Sequence, residues 1–387
     1  MSRQAPWFFV CAVMVGGFFV VAQIYAMLPL LRGIASDLQI SGAQASFIPT
    51  AFGLAYAGGL LVFGPIADRM DRMLLLVGGL VALAAASACV ALAQSYESLM
   101  AGRALQGLAA STFPATALAL VSQQTPAQDQ PLAISMMGFS FLSSAPLSQV
   151  LVEASALPFG QLMVCSAALY LLCAAATLLA GSGVPRGTGD AKRGTPSDAV
   201  HVDPRTAPPL AALTIAPASI LFGYVSFHAH GQVVALADPA METQLLRLVG
   251  FPPLLLCFTA PRIMRRHGPA VTACNGLALV ALSLALASVG ANLFFASMLL
   301  SAGVALAVPG LIAAVTFWSG SSVRARSLAT YTFFLFSGAS IAPVSAHILA
   351  GVGGATTLAF PAFLALCAAT TLYMARPTGD PLDPATR

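Results

Sequence analysis

The chain has 387 residues, 58% of them hydrophobic and only 8% charged, with a formal net charge of +4 and a mean hydropathy of +0.87. That composition leaves no room for a substantial soluble domain and makes the bilayer the solvent. Seven cysteines (Cys11, Cys89, Cys165, Cys173, Cys257, Cys274, Cys367) stand singly on apolar segments; without CxxC or Cys/His spacing they read as small core hydrophobes, not as a metal site or disulfide framework.

A hydrocarbon core about 30 Å thick needs about 20 helical residues to cross it, and only helices or closed barrels satisfy every backbone group there. Residues 4–31, 38–67, 73–96, 154–185, 268–323 and 327–375 contain no Asp, Glu, Lys or Arg. The apolar residues show no period-2 alternation, which argues against a lipid-facing barrel. In chain order the spacing predicts twelve spans, near 7–30, 45–63, 73–93, 98–121, 131–152, 158–180, 210–236, 240–260, 270–289, 293–317, 327–350 and 355–375. The last four pair up across tight turns at Ala291-Asn292 and Gly351-Val352-Gly353-Gly354. Residues 1–26 superficially resemble a signal peptide, but their apolar run is too long for one, so an uncleaved first span is expected.

Between spans six and seven, Gly181 to Pro209 is rich in Gly, Pro, Thr and charge and reads as a flexible linker. The expected organisation is all-α and polytopic: a six-helix bundle over 1–181, a linker over 182–209, a second six-helix bundle over 210–376 and a tail over 377–387. Orientation follows from Lys and Arg. Of seventeen, fourteen (Arg3, Arg69, Arg72, Arg186, Lys192, Arg193, Arg205, Arg262, Arg265, Arg266, Arg324, Arg326, Arg376, Arg387) fall in one compartment. Only Arg32 lies in an opposite loop, while Arg103 and Arg247 lie within spans. Both termini and the linker are therefore expected in the cytoplasm, with the chain in the cytoplasmic (inner) membrane. This bias accounts for the net charge without a nucleic-acid partner.

The connection after span two reads Gly64-Pro65-Ile66-Ala67-Asp68-Arg69-Met70-Asp71-Arg72, and span four carries Arg103-Ala104-Leu105-Gln106-Gly107. The first resembles the G-x-x-x-D-R-x-G-R loop of the major facilitator superfamily, and the second resembles its R-x-x-Q-G motif. Both fall at the family's positions in a 6+6 chain. Asp71 stands where the family usually has Gly, and Met73 where a second basic residue is common, so the loop is expected to turn differently. The connection after span eight, Pro261-Arg262-Ile263-Met264-Arg265-Arg266-His267-Gly268, repeats the pattern with Arg265 opposite Asp68 and Arg266 opposite Arg69. Internal repetition of this kind is expected of secondary transporters.

The resemblance implies that the loop after span two meets the cytoplasmic start of span eleven, Arg324-Ala325-Arg326-Ser327, where Ser327 is a candidate N-cap. Asp68 would then face two cations and a positive helix end. By pseudo-symmetry Arg265 or Arg266 would meet Asp129. Gly64, Asp68, Arg69, Arg72, Asp129, Arg265, Arg266, Arg324 and Arg326 are thus the expected cytoplasmic gate; plain positive-inside charges without pairing are the simpler alternative.

An ionisable group inside a span costs several kcal/mol unless paired or hydrated, so each is a candidate. These are Arg103, Glu153, His228, His230, Glu242, Arg247 and His347. The family links the Arg103 motif to proton coupling; a snorkelling or neutralising arginine is the alternative. Glu153 reads as a solvated helix-end acid or a proton carrier. His228 and His230 face different sides of one helix, so at most one enters a cavity. Glu242 and Arg247, five apart, do not stack. Gln23 and Tyr25 occupy the stretch of span one where drug exporters of the family often carry a carboxylate. Gln106, Gln23, Tyr25, Glu153, His228 and Arg247 join Arg103 as the candidate coupling and substrate residues. Ser144-Ala145-Pro146-Leu147-Ser148-Gln149 only weakly resembles the exporters' span-five pattern; a proline kink re-satisfied by Ser143 or Ser144 serves equally.

The resemblance to the drug/proton antiporter branch implies export of a small organic molecule in exchange for protons. The cationic bias points to a polar or anionic metabolite, of which a siderophore is one example. An uptake symporter or facilitator on the same fold is the alternative, since fold does not set direction. No Ser/His/Asp set, metal-ligand spacing or Gly-rich phosphate loop supports an enzyme. No cofactor is expected beyond the proton gradient, and the expected partners are a small-molecule substrate, protons and the bilayer, acting on a monomer.

Overall fold

Side-chain caps at Asp71, Ser95 and Asn292 start three of the long helices, and several interruptions fall beside proline. The computed structural model describes residues 7–67, 70–126, 129–181, 208–233, 239–320 and 323–375. Among these residues sixteen α-helices occur and no strand. They are α1 (Trp7–Tyr25), α2 (Leu31–Asp37), α3 (Gly42–Ala67), α4 (Arg72–Ala91), α5 (Tyr96–Ala110), α6 (Phe113–Gln124), α7 (Gln130–Ser155), α8 (Phe159–Gly181), α9 (Leu210–Leu213), α10 (Ile215–Val233), α11 (Pro239–Gly250), α12 (Ala260–His267), α13 (Pro269–Ser288), α14 (Leu293–Trp318), α15 (Arg324–Ala350) and α16 (Thr356–Ala375). Eleven helical stretches are long and apolar enough to cross a membrane, and twelve if one pair bent by 55° counts as a single span. The all-α polytopic class expected from the uncharged windows is the one observed.

Four predicted spans are not simple helices; in span seven, α9 ends at Leu213 and α10 begins at Ile215. Span one continues from α1 through a 3-10 turn at Leu28–Leu30, opened by Pro29, into α2. Span four is interrupted at Ser111-Thr112, just before Pro114. There the Ser111 and Thr112 hydroxyls donate to the Leu108 and Ala109 carbonyls (2.6 and 2.8 Å), keeping the broken turn hydrogen-bonded in an apolar medium. Span eight contains the bent pair: α11 ends at Gly250, Pro252-Pro253 start a 3-10 segment that runs to Phe258, and the 55° bend falls at Thr259, before α12. Two consecutive residues without an N–H cannot continue an α-helical ladder.

The expected loop after span eight is therefore a correction. Pro261 to His267 lies within α12, with Pro261 in the first turn where its missing N–H costs nothing. Gly268 ends α12 at φ +81°, a conformation that favours glycine. The turns at Ala291-Asn292 and Gly351–Gly354 lie where expected: Asn292 caps α14 through Phe294 and Phe295 amides (2.9 and 3.1 Å), and Thr356 Oγ1 donates back to Leu349 O (2.7 Å).

The helices cluster into two compact units, Met1–Ser41 with Ala51–His201 and Gly42–Thr50 with Val202–Arg387. In the first, α1 packs on α7 and α8, and α4 on α5 and α8. In the second, α13 packs on α14 and α16, and α10 on α15 and α16.

Candidate functional site

In the first unit, α5 is started by a capping box between Ser95 and Ser98, whose side chains each take the other's amide (3.2 and 3.1 Å). Two turns later it presents Arg103, which is fully buried, 0% exposed. Its Nη1 donates to Gln106 Oε1 (2.8 Å) and Gln23 Oε1 (3.3 Å), and its Nη2 to the main-chain carbonyl of Gln23 (2.9 Å). The guanidinium also lies over the Phe52 ring, 4.5 Å from its centroid, and Phe52 stacks on Tyr56.

Gln106 carries the relay further: its Nε2 donates to Ser87 Oγ on α4 (2.8 Å), and Ser87 Oγ donates to Leu83 O (2.8 Å). The motif's glycine has a steric reason. A Cβ at Gly107 would overlap the Phe52 carbonyl oxygen, so only glycine lets α5 sit against α3 at the level of Arg103.

Among the described residues no carboxylate pairs with Arg103; its acceptors are two amide oxygens, a carbonyl and a π face. Burying a lone cation costs several kcal/mol. Gln23 lies in the last turn of α1, where carbonyls lack intrahelical donors and the helix dipole is negative. A cation there gains up to about 2 kcal/mol, and the Phe52 ring adds about 0.5–2 kcal/mol. None of these acceptors titrates near neutral pH. Arg103 Nε alone has no hydrogen-bond partner.

The structure thus brings together Arg103, Gln106 and Gln23, with Tyr25 also buried at the end of α1. Sequence reasoning missed Ser87 and the Gln23 main-chain carbonyl. Glu153 lies half-buried in the last turn of α7. Before Pro146 in α7, Ser143 and Ser144 donate to the Ser140 and Phe141 carbonyls rather than to Leu142, whose carbonyl Pro146 cannot meet with an N–H. In the second unit, His228 on α10 and Arg247 on α11 are both buried, whereas His230 is half-buried against the Thr357 hydroxyl.

Of the expected gate, Asp68 and Arg69 lie outside the described residues, and Gly64 belongs to the end of α3. Asp71 closes the gap left by the family's glycine in another way: it caps α4, accepting from the Met73 and Leu74 amides (2.8 and 3.2 Å). Arg72 is the first residue of α4, and Asp129 precedes α7 without a side-chain cap bond. Arg265 and Arg266 are exposed in the last turn of α12; Arg324 and Arg326 are exposed in the first turn of α15. Ser327 is not the N-cap. That position is Val323, whose carbonyl accepts the Ser327 amide (2.8 Å), and Ser327 is buried inside the helix.

A multi-pass helical bundle with an arginine relay buried inside one unit defines a polytopic helical membrane protein. A family model described as the Major Facilitator Superfamily matches residues 13–290, and the chain belongs to that family. It is 36% identical over 131 residues to the inner membrane transport protein YajR of Escherichia coli K12, covering 33% of this chain and 28% of that protein. It is 39% identical over 88 residues to the putative transporter YgaY of the same strain, covering 23% and 22%. The matched stretches thus span about a quarter of these relatives' length. The crystal structure of the human organic anion transporter MFSD10 superposes with a TM-score of 0.68 at 17% identity, covering 96% of this chain and all of that one, which shows the shared fold.

Proposed function

We propose that this chain is a proton-coupled secondary transporter that exports a small polar or anionic organic molecule by alternating access. It acts as a monomer in the cytoplasmic membrane, with both termini on the cytoplasmic side. The observation that carries the reading is the Arg103 relay. A fully buried cation held by neutral acceptors among the described residues keeps its charge inside the bundle. A positive interior disfavours a cationic cargo by desolvation and repulsion. Because the relay contains no acid, the proton must be carried elsewhere; Glu153 and His228 are the titratable groups in spans that serve this role. The organic anion named for MFSD10 agrees with this substrate class, and the likeness to inner-membrane transporters agrees with the location.

Everted vesicles holding an imposed proton gradient, acid inside, test the proposal. Addition of a transported organic anion to the outside should release protons, read by a pH-sensitive dye, and Arg103→Gln should abolish the release. Accumulation of the same compound by intact cells under an inward proton gradient would instead establish uptake, the alternative direction on this fold.

A further inference from the structure

Between the bend in span eight and the start of α13 lies one short helix, α12, whose eight residues extend about 12 Å and cannot cross a bilayer. Thr259 starts it: the Thr259 carbonyl accepts the Arg262 and Ile263 amides (2.9 and 3.1 Å), and its hydroxyl donates back to Leu256 O (2.8 Å). Gly268 ends it at φ +81°, and the Gly268 carbonyl accepts the Thr272 hydroxyl in the first turn of α13 (2.8 Å). Both ends of α12 are thus fixed, at 55° to the helical stretch Gln244–Phe258 before it. Three arginines in eight residues are too costly for hydrocarbon, so α12 lies at a membrane surface.

The helix has two faces. Ala260 is buried and Ile263 and Met264 are half-buried, where α12 packs on α13, α14 and the preceding 3-10 segment. Arg262, Arg265 and Arg266 repeat the same spacing two positions later, about 200° around the helix, and all three are exposed. The helix dipole accounts for part of this pattern. Arg265 and Arg266 lie in the last turn, where the negative end favours cations. Arg262 lies in the first turn, where the same dipole opposes it. Its place beside the other two therefore points to an anion outside the helix. Guanidinium groups present N–H donors in a fixed fork that matches phosphate oxygens, and the phosphates found at a bilayer surface are lipid headgroups.

We infer that the Arg262–Arg265–Arg266 face of α12 is a docking surface for the phosphate headgroup of an anionic phospholipid, in the leaflet whose surface the helix occupies. Lipid docking of this kind is independent of the direction of transport. Arg265 and Arg266 also belong to the cytoplasmic gate expected from the sequence; Arg262 does not, so it reports on the lipid alone.

Binding is read on the full-length protein in neutral detergent, unfolded thermally while its tryptophan fluorescence is followed. Phosphatidylglycerol or phosphatidylcholine with the same acyl chains is added to the micelles. A lipid bound only by the folded state raises the midpoint saturably. Phosphatidylglycerol should do so, phosphatidylcholine should not, and the effect should shrink as salt is added. Arg262→Gln, Arg265→Gln and Arg266→Gln should each raise the half-saturating amount of lipid about fivefold, and the triple variant should remove the effect. Arg262→Lys, which keeps the charge and loses the fork, should retain part of it. Should the triple variant fail to fold, the three single variants carry the test.

Four results would overturn the docking surface. One is equal stabilisation of the wild type by the two lipids, or by neither. Another is a lipid response unchanged in the triple variant, or in all three single variants, whatever happens to the midpoint without lipid; the arginines would then serve the helix only. A third is stabilisation by glycerol phosphate as strong as by phosphatidylglycerol, which would assign the face to a free phosphate. The last is an equal loss of the response in Arg324→Gln combined with Arg326→Gln, which would make it a property of the general surface charge.

Discussion

Arg103 holds Gln23 twice, through Nη2 to its main-chain carbonyl at 2.9 Å and through Nη1 to its Oε1 at 3.3 Å. The main-chain bond ties a buried cation to the negative end of α1 and survives any substitution of the Gln23 side chain. Gln106 differs, since its side chain alone joins Arg103 to Ser87. Gln23→Leu should therefore cost about 1 kcal/mol, the loss of one long hydrogen bond. Gln106→Leu should cost about 1.5–3 kcal/mol, because it removes a short bond to a charge, while Ser87 keeps its bond to the Leu83 carbonyl. Denaturant unfolding in detergent reads the order directly. A Gln23→Leu variant less stable than Gln106→Leu would show that the main-chain bond does not carry the relay.

Gly107 and Gly58 separate steric need from helix propensity. The first faces the Phe52 carbonyl, while nothing lies within 4 Å of a Cβ built on the second. Gly107→Ala must push α5 from α3 and loosen the Phe52 contact with Arg103, at about 3 kcal/mol or more, the range of severe overpacking. Gly58→Ala should be neutral or gain up to about 1 kcal/mol, as alanine does over glycine within a helix. Expression level and thermal midpoint of the two variants should diverge accordingly.

The relay was only partly legible in the amino-acid order. The R-x-x-Q-G spacing placed Arg103 and Gln106 on one helix, and Gln23 stood out as a polar residue in an apolar span. Ser87 carried no signal, because a serine in a membrane helix usually bonds its own backbone, as Ser87 also does through Leu83. The Gln23 carbonyl became available only because α1 stops at Tyr25, ahead of Pro29. Pro252-Pro253 did signal a break in span eight, but hydropathy, which ignores backbone donors, ran straight across it. Charge density likewise made Pro261 to His267 look like a loop, although a proline in a first turn followed by basic residues in a last turn is also a helix pattern.

Asp71 explains its own departure from the family's glycine. A glycine turns by conformational freedom; Asp71 sits in the extended region and holds α4 by accepting two amides. Asp71→Ala should destabilise by about 1 kcal/mol, the usual worth of an N-cap, whereas Asp71→Asn and Asp71→Ser should retain most of it. Asp71→Gly should lose only a few tenths of a kcal/mol. Thermal midpoints of the four variants test the ranking, and a damaging Asp71→Asn would point to the charge rather than the cap.

The proposed cytoplasmic gate is best tested by exchanging its charges. Exposed ion pairs contribute about 0–1 kcal/mol, and helix-end geometry raises that to about 2 kcal/mol. A contact of that size can hold one state and still release in every cycle. Arg324 and Arg326 stand exposed in the first turn of α15, where the dipole adds its own positive field. In the gate expected from the sequence, Asp68→Arg would add a third cation of the same sign, and loss of transport is the expected outcome. Adding Arg324→Asp and Arg326→Asp should restore a measurable fraction, because it re-creates opposite charges with the signs exchanged. Recovery will be incomplete, since two aspartates meet the helix dipole favourably while the cation introduced by Asp68→Arg does not. The same logic applies to Asp129→Arg with Arg265→Asp and Arg266→Asp. Transport in everted vesicles, normalised to the amount of protein in the membrane, measures both sets. If neither set recovers, these charges serve orientation in the membrane and not the gate.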